Sequence, residues 1–286
     1  MKYYLEASYW GEPFIYMLVC FALFLVGKFL YQLLHRGVDV DAEMVDKDNL
    51  AFAVTQVGYF VGLLLAIAGT MAGSAHESLS QDLLLTLAYG FAAIVLLNIA
   101  IIVNDRIVFS ALELKKNIVE RGNVAVGIVE AANSVANGLI IYGVLSIEAA
   151  QVWFALGFWL AAQLILIVVA LVYNRITPYQ VFNKIYTGNA AVAVAFAGFL
   201  VAMGNIMRYV IEAEHSNLLD SAAAIGIQLG VALFALPIFR WLTDKLLLPK
   251  RSITDELVNQ DVPNIGVGLV EAFAYISAST LITISL

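Results

Sequence analysis

The run NVAVGIVEAANSVANG at 123–138 carries one carboxylate, Glu130, and the run NIGVGLVEAFAYISAS at 264–279 carries another, Glu271. Each lies seven residues after the asparagine that opens its run, Asn123 or Asn264. On a helix that spacing is about 10 Å of axial rise, roughly a third of the way into a bilayer core about 30 Å thick. An ionised carboxylate at such depth costs about 2.5 kcal/mol or more. Three chemistries meet that cost: a neutral carboxyl hydrogen-bonded to a neighbouring helix, a bound proton or small cation, or a water-lined cavity. The first makes each glutamate a clip between helices. The other two make it a working group.

Helical spacing extends the pattern. Asn123, Gly127, Glu130, Ser134 and Asn137 fall on one stripe, with Asn133 beside it. The second stripe reads Asn264, Gly268, Glu271, Tyr275 and Ala278, with Ser279 alongside. Polar neighbours favour the charged form and apolar ones disfavour it. The expectation is therefore that Glu130 exchanges with solvent or ion and Glu271 stays neutral, the two sharing a proton if they face each other. Gly58 and Gly62, matched by Gly198 and Ala202, have the small-x-x-x-small spacing that lets helices approach closely, and are read as packing. His35, His76 and His215 show no ligand spacing, so no metal site is expected. No cofactor motif and no Ser/His/Asp grouping is readable, which leans away from an enzyme.

The elements that must position these residues are membrane helices. Of 286 residues, 62% are hydrophobic and 13% charged, with one cysteine; soluble domains run near 45–50% and about 25%. The net charge of −7 argues against nucleic acid. Eight apolar runs of spanning length can be drawn, at about 13–34, 50–72, 82–104, 123–145, 150–173, 189–209, 219–243 and 264–285. The first is read as a retained helix, because Glu6 and Glu12 precede it where a signal peptide is basic. Twelve Lys and Arg residues fall in alternate loops: Arg36, Lys47, Arg106, Lys115, Lys116, Arg121, Arg175, Lys184, Arg240, Lys245, Lys250 and Arg251. Lys2 and Arg208 alone lie on the other side. The basic loops are thus expected in the cytoplasm and both termini outside it. With Arg240 counted in a loop, no basic residue is expected at the depth of either glutamate.

The chain is also a duplication. NLAFAVTQVGYFVG at 49–62 answers to NAAVAVAFAGFLVA at 189–202, about 140 residues on, as the two glutamate runs answer to each other. VNDRIVF at 103–109 answers more weakly to LTDKLLL at 242–248. The expected fold is all-α: a polytopic membrane protein of eight transmembrane helices, built as two parallel four-helix repeats over 1–146 and 147–286. An even helix count inserts both halves the same way up, about a pseudo-two-fold along the membrane normal.

These motifs, N-[VI]-[AG]-V-G-[IL]-V-E-A, the NLAFAV…GYFVG helix and the Asn-Asp pair at 104–105, resemble the YjfL-like bacterial inner-membrane family, catalogued as domain of unknown function 350. The resemblance covers nearly all of the chain and is weakest over 145–188. It implies an inner-membrane location in a duplicated form and supplies no activity. Because similar proteins are encoded beside envelope-stress membrane-remodelling proteins and ATP-grasp ligases, it also implies a cytoplasmic partner class. Two functions therefore stand: a channel or transporter for a proton or small cation using the paired glutamates, and a non-transporting scaffold that docks a remodelling partner on its basic loops. The lipid bilayer is the certain partner, and a second copy of the chain is a further candidate.

Overall fold

The computed structural model describes residues 7–35, 37–72, 78–147, 152–213, 218–246 and 251–285. Lys2, Arg36, His76, His215 and Lys250 lie outside them, as does the side chain of Gln228. Among the described residues ten α-helices follow in order: α1 Ala7–Leu34, α2 Leu50–Ala68, α3 Leu79–Ile107, α4 Val124–Leu145, α5 Val152–Ile176, α6 Val181–Tyr186, α7 Ala190–Glu212, α8 Leu218–Leu246, α9 Ile253–Val258 and α10 Ile265–Ser285. Among the described residues seven are long and apolar enough to cross a membrane: α1, α2, α3, α4, α5, α7 and α10. Their outward side chains, such as Phe29, Leu164 and Phe273, are apolar and exposed, as lipid contact requires.

The helices α2, α4, α7 and α10 stand side by side as one row, α2 on α4, α4 on α7, α7 on α10. Further helices fill the grooves beside it: α1 on α2 and α3, α3 on α2 and α4, α5 on α4 and α7, α8 on α7 and α10. Small residues make the row possible. A Cβ on Gly127 or Gly268 would strike the backbone carbonyl of Ala51 or Ala191, the same approach in each repeat. Gly58 against Ala131 and Gly198 against Ala272 form a second matched pair. Gly58, Gly62 and Gly198 each lie against the backbone of a neighbouring helix, and Ala202 is fully buried.

Each row helix is preceded by an asparagine: Asn49, Asn123 and Asn189, all in extended backbone geometry, and, before α10, Asn264. The side-chain oxygen of each accepts a backbone N–H of the first turn, from Phe52 at 3.1 Å, Ala125 at 3.1 Å, Val192 at 3.0 Å and Val267 at 3.3 Å. The amide nitrogen does a second task. Asn49 donates to the Ile118 carbonyl at 2.9 Å, Asn123 to Ile185 and Tyr186 at 3.2 and 3.1 Å, and Asn189 to Leu257 at 2.8 Å. Each of these three capping residues thereby reaches the short helix or π-turn that leads into the next row helix. These bonds hold the four N-termini at one level, so the row helices are parallel and both repeats point the same way.

The seventh run, 219–243, corresponds to α8, Leu218–Leu246, a long helix outside the seven spans established for the described residues. Two expectations change. The repeats are not related by a closed two-fold: such an axis would copy the α4–α7 contact onto α10 and α2, and those two make no comparable contact. The row is open, with α7 between α4 and α10, so Glu130 and Glu271 do not face each other. Finally, Arg240 is not a loop residue. Helix α8 runs on to Leu246, which places Arg240 inside it.

Candidate functional site

Glu130 and Glu271 are both buried, at 5% and 0% exposure. Each points at the helix preceding its own in the repeat, Glu130 at α3 and Glu271 at α8. What they meet there is different.

In the first repeat the Glu130 carboxyl lies in hydrogen-bonding contact with the carboxyl of Asp105, near the end of α3. A hydrogen bond between two carboxyl groups needs a proton on one of them, so the pair is chemically a shared site. The site is ringed by asparagines. Asn133 Oδ1 accepts from Asn104 Nδ2 at 2.9 Å and from Asn137 Nδ2 at 3.0 Å. Asn137 also donates to the Asn133 carbonyl at 2.8 Å. This network leaves Asn104 Oδ1, Asn137 Oδ1, Asp105 Oδ1 and Glu130 Oε2 buried without a hydrogen-bond partner. Unpaired buried oxygens are costly, and hard cations or protons are the species that oxygens take up. Asp105 is half-buried while Glu130 is not, so the pair runs from the Asn-capped surface into the bundle. Tyr31 of α1 lies within electrostatic reach of both acids.

In the second repeat Glu271 has a cation. Arg240 Nε donates to Glu271 Oε1 at 2.5 Å, and the Tyr275 hydroxyl donates to the same oxygen at 3.0 Å. Arg240 Nη2 also reaches Thr254 Oγ1 at 3.3 Å, which ties α8 to α9. The expectation that Glu271 has no basic residue at its depth is overturned, and with it the reason for expecting a neutral carboxyl there. The residue responsible stands in a helix rather than a loop.

Of the sequence-derived site residues, Glu130, Asn133 and Asn137 meet in one cluster, and Tyr275 joins Glu271. Gly127 and Ser134 belong elsewhere: their backbones form the seam with Ala51 and Gly62 of α2. The polar stripe is therefore two surfaces of one helix, a packing face and a polar face. Asn123 and Asn264 are caps. Sequence reasoning missed Asn104, Asp105 and Arg240 as site members. The available signal was the alignment of VNDRIVF with LTDKLLL, which flags Asp105 and Asp244 as matched acids at the helix end.

Side-chain bonds order two turns outside the long helices. Glu43, within an acidic turn, is 3% exposed and bonds Lys47 at 2.5 Å and Asn49 at 2.9 Å. These bonds, that of Lys47 foremost, hold its carboxyl below the usual range. Ser252 caps α9, its hydroxyl accepting the Asp255 N–H at 3.5 Å.

A bundle of long apolar helices, with its buried polar side chains at helix starts and interhelical seams, is a polytopic integral membrane protein. The chain belongs to the family described as Domain of Unknown Function (DUF350), whose model matches it twice in tandem, over residues 5–145 and 147–286. Comparison with curated proteins and with solved structures yields no match.

Proposed function

We propose that this protein binds and passes a proton or a small monovalent cation through the Asp105–Glu130 pair. The observation that carries the reading is two carboxyl groups in contact within membrane helices, with no ion pair to either among the described residues. Two such acids cannot both be ionised without a counter-charge. Asn104 and Asn137 add neutral oxygens, while no third His, Cys, Asp or Glu joins a metal-sized cluster among the described residues. That donor set suits one positive charge rather than two. The half-buried Asp105 is the outer group and Glu130 the inner one. By the distribution of Lys and Arg, the outer group faces the cytoplasm of a bacterial inner membrane, with both termini on the far side.

The docking alternative has less support. Arg121 bonds Asn117 and Tyr186, and Lys116 pairs with Glu113, so part of the basic face is occupied internally.

Flux into proteoliposomes carrying an entrapped pH indicator tests the proposal. A pH gradient, alone or with Na⁺ or K⁺ opposing it, should collapse with wild-type protein. Glu130→Gln and Asp105→Asn should each abolish the collapse while leaving the protein folded, because an amide keeps the hydrogen-bonding shape. Flux that survives both substitutions would end the transport reading.

A further inference from the structure

The position seven residues after each capping asparagine is Gln56, Glu130, Phe196 and Glu271 along the row, all four buried. The row therefore contains four related buried seats. Two hold acids, and the two repeats differ at one decisive residue. The counterpart of Asp105, about 140 residues on, is Asp244. It accepts the Ile253 N–H at 2.7 Å, at the start of α9. One helical turn before it stands Arg240, whose first-repeat counterpart is Ile101, buried and apolar.

We propose that Arg240 is a tethered counter-ion that permanently fills the second repeat's copy of the site, leaving Asp105–Glu130 as the exchanging site of each chain. This rests on the cation- or proton-handling reading above and adds its stoichiometry. The guanidinium keeps its charge at every accessible pH and cannot diffuse away. It is fixed on both sides, to Glu271 and to Thr254. The Glu271 side chain is wholly shielded, so no solvent ion can compete. The charge arithmetic of the repeats gives the cargo. In the second repeat Asp244 is engaged at α9, and the site itself holds one acid and one arginine, which cancel. The first site has two acids and an isoleucine in place of the arginine, so the positive charge that the arginine supplies must come from solution. The second repeat thus displays, in covalent form, what the first binds reversibly.

The test is infrared titration of the full chain in nanodiscs, in a buffer whose only small cation is the proton. The carboxylic C=O band is counted per chain. The groups facing Glu130 are Asp105 from α3 and Tyr31 from α1. Those around Glu271 are Arg240 from α8, Tyr275 on its own helix, Tyr173 from α5 and Tyr179. Wild type should show one titrating carboxyl from this pair of sites, lost in Glu130→Gln and retained in Glu271→Gln. Arg240→Ile should gain a second, removed by adding Glu271→Gln. The mirror change, Ile101→Arg, should abolish the Glu130 signal. A wild-type signal that Glu271→Gln diminishes would overturn the assignment with no need of a charge-altered variant. So would a folded Arg240→Ile chain with no added band. Absence of any Glu130-dependent signal in wild type would instead defeat the underlying reading of the first site.

Discussion

Replacing Gly138 by alanine tests whether the row of parallel helices is set by backbone contact. A Cβ at Gly138 would stand 2.6 Å from Gly62 Cα and 2.8 Å from its carbonyl carbon. The obstacle is backbone, so no rotamer can yield, and the helices must part. The Gly62 carbonyl oxygen is closer still, so restoring ordinary contact at 3.4 Å opens the α2–α4 seam by about 1 Å, a gap that forfeits a quarter to a half of each dispersion contact across it. Overpacking of this kind costs about 1–3 kcal/mol, and the seam includes Gly62 over Ser134 and Gly127 over Ala51. Gly157, in α5, is the contrasting position, because a Cβ added there would have nothing within 4 Å; alanine at that site gains up to about 1 kcal/mol of helix propensity. The assay is thermal unfolding of the two purified variants in one detergent, followed by circular dichroism. Gly138→Ala should melt several degrees below wild type and Gly157→Ala at or above it. If Gly138→Ala matches wild type while Gly157→Ala behaves as stated, the row is held by something other than close backbone approach.

Two further outcomes can be measured on the same material. Asn123→Ala removes the α4 cap and the bridge to Ile185 and Tyr186, so it should destabilise the protein by about 1–3 kcal/mol; Asn123→Ser, which keeps only the cap, should recover about 1 kcal/mol of that loss. Glu43 is held below its ordinary range by Lys47 and Asn49, so its contribution to stability is present above an unfolded value of about 4.3 and is lost as pH falls further. Glu43→Gln should therefore lower the melting temperature at neutral pH, where that contribution is present, and flatten the acid limb so that the profile converges with wild type at low pH.

Composition and periodicity determined much of this protein without any structure. A chain this apolar must satisfy its backbone inside helices, which is why the long runs could be bounded to within a few residues. The offset of about 140 residues made the duplication legible, because matched helices need matched small residues, as Gly58 and Gly198 show. Burial of Glu130 and Glu271 was legible too, since each lies well inside an apolar run. Their chemistry was not. Whether a carboxyl is a shared acid site or half of an ion pair depends on the side chain that a different helix brings to it, and sequence spacing carries no information about helix neighbours. Asp105 and Arg240 both lie near the ends of their helices, where one turn more of helix converts a loop charge into a seam charge. The open row was likewise decided only in three dimensions. The asparagines at 49, 123, 189 and 264 were all visible, yet in three of the four cases the amide reaches a carbonyl some 60 to 70 residues away. Local sequence specifies the cap, because the accepting oxygen and the donating N–H lie within one turn. The bridge requires the next helix to be in place, and that is a property of the packed fold alone.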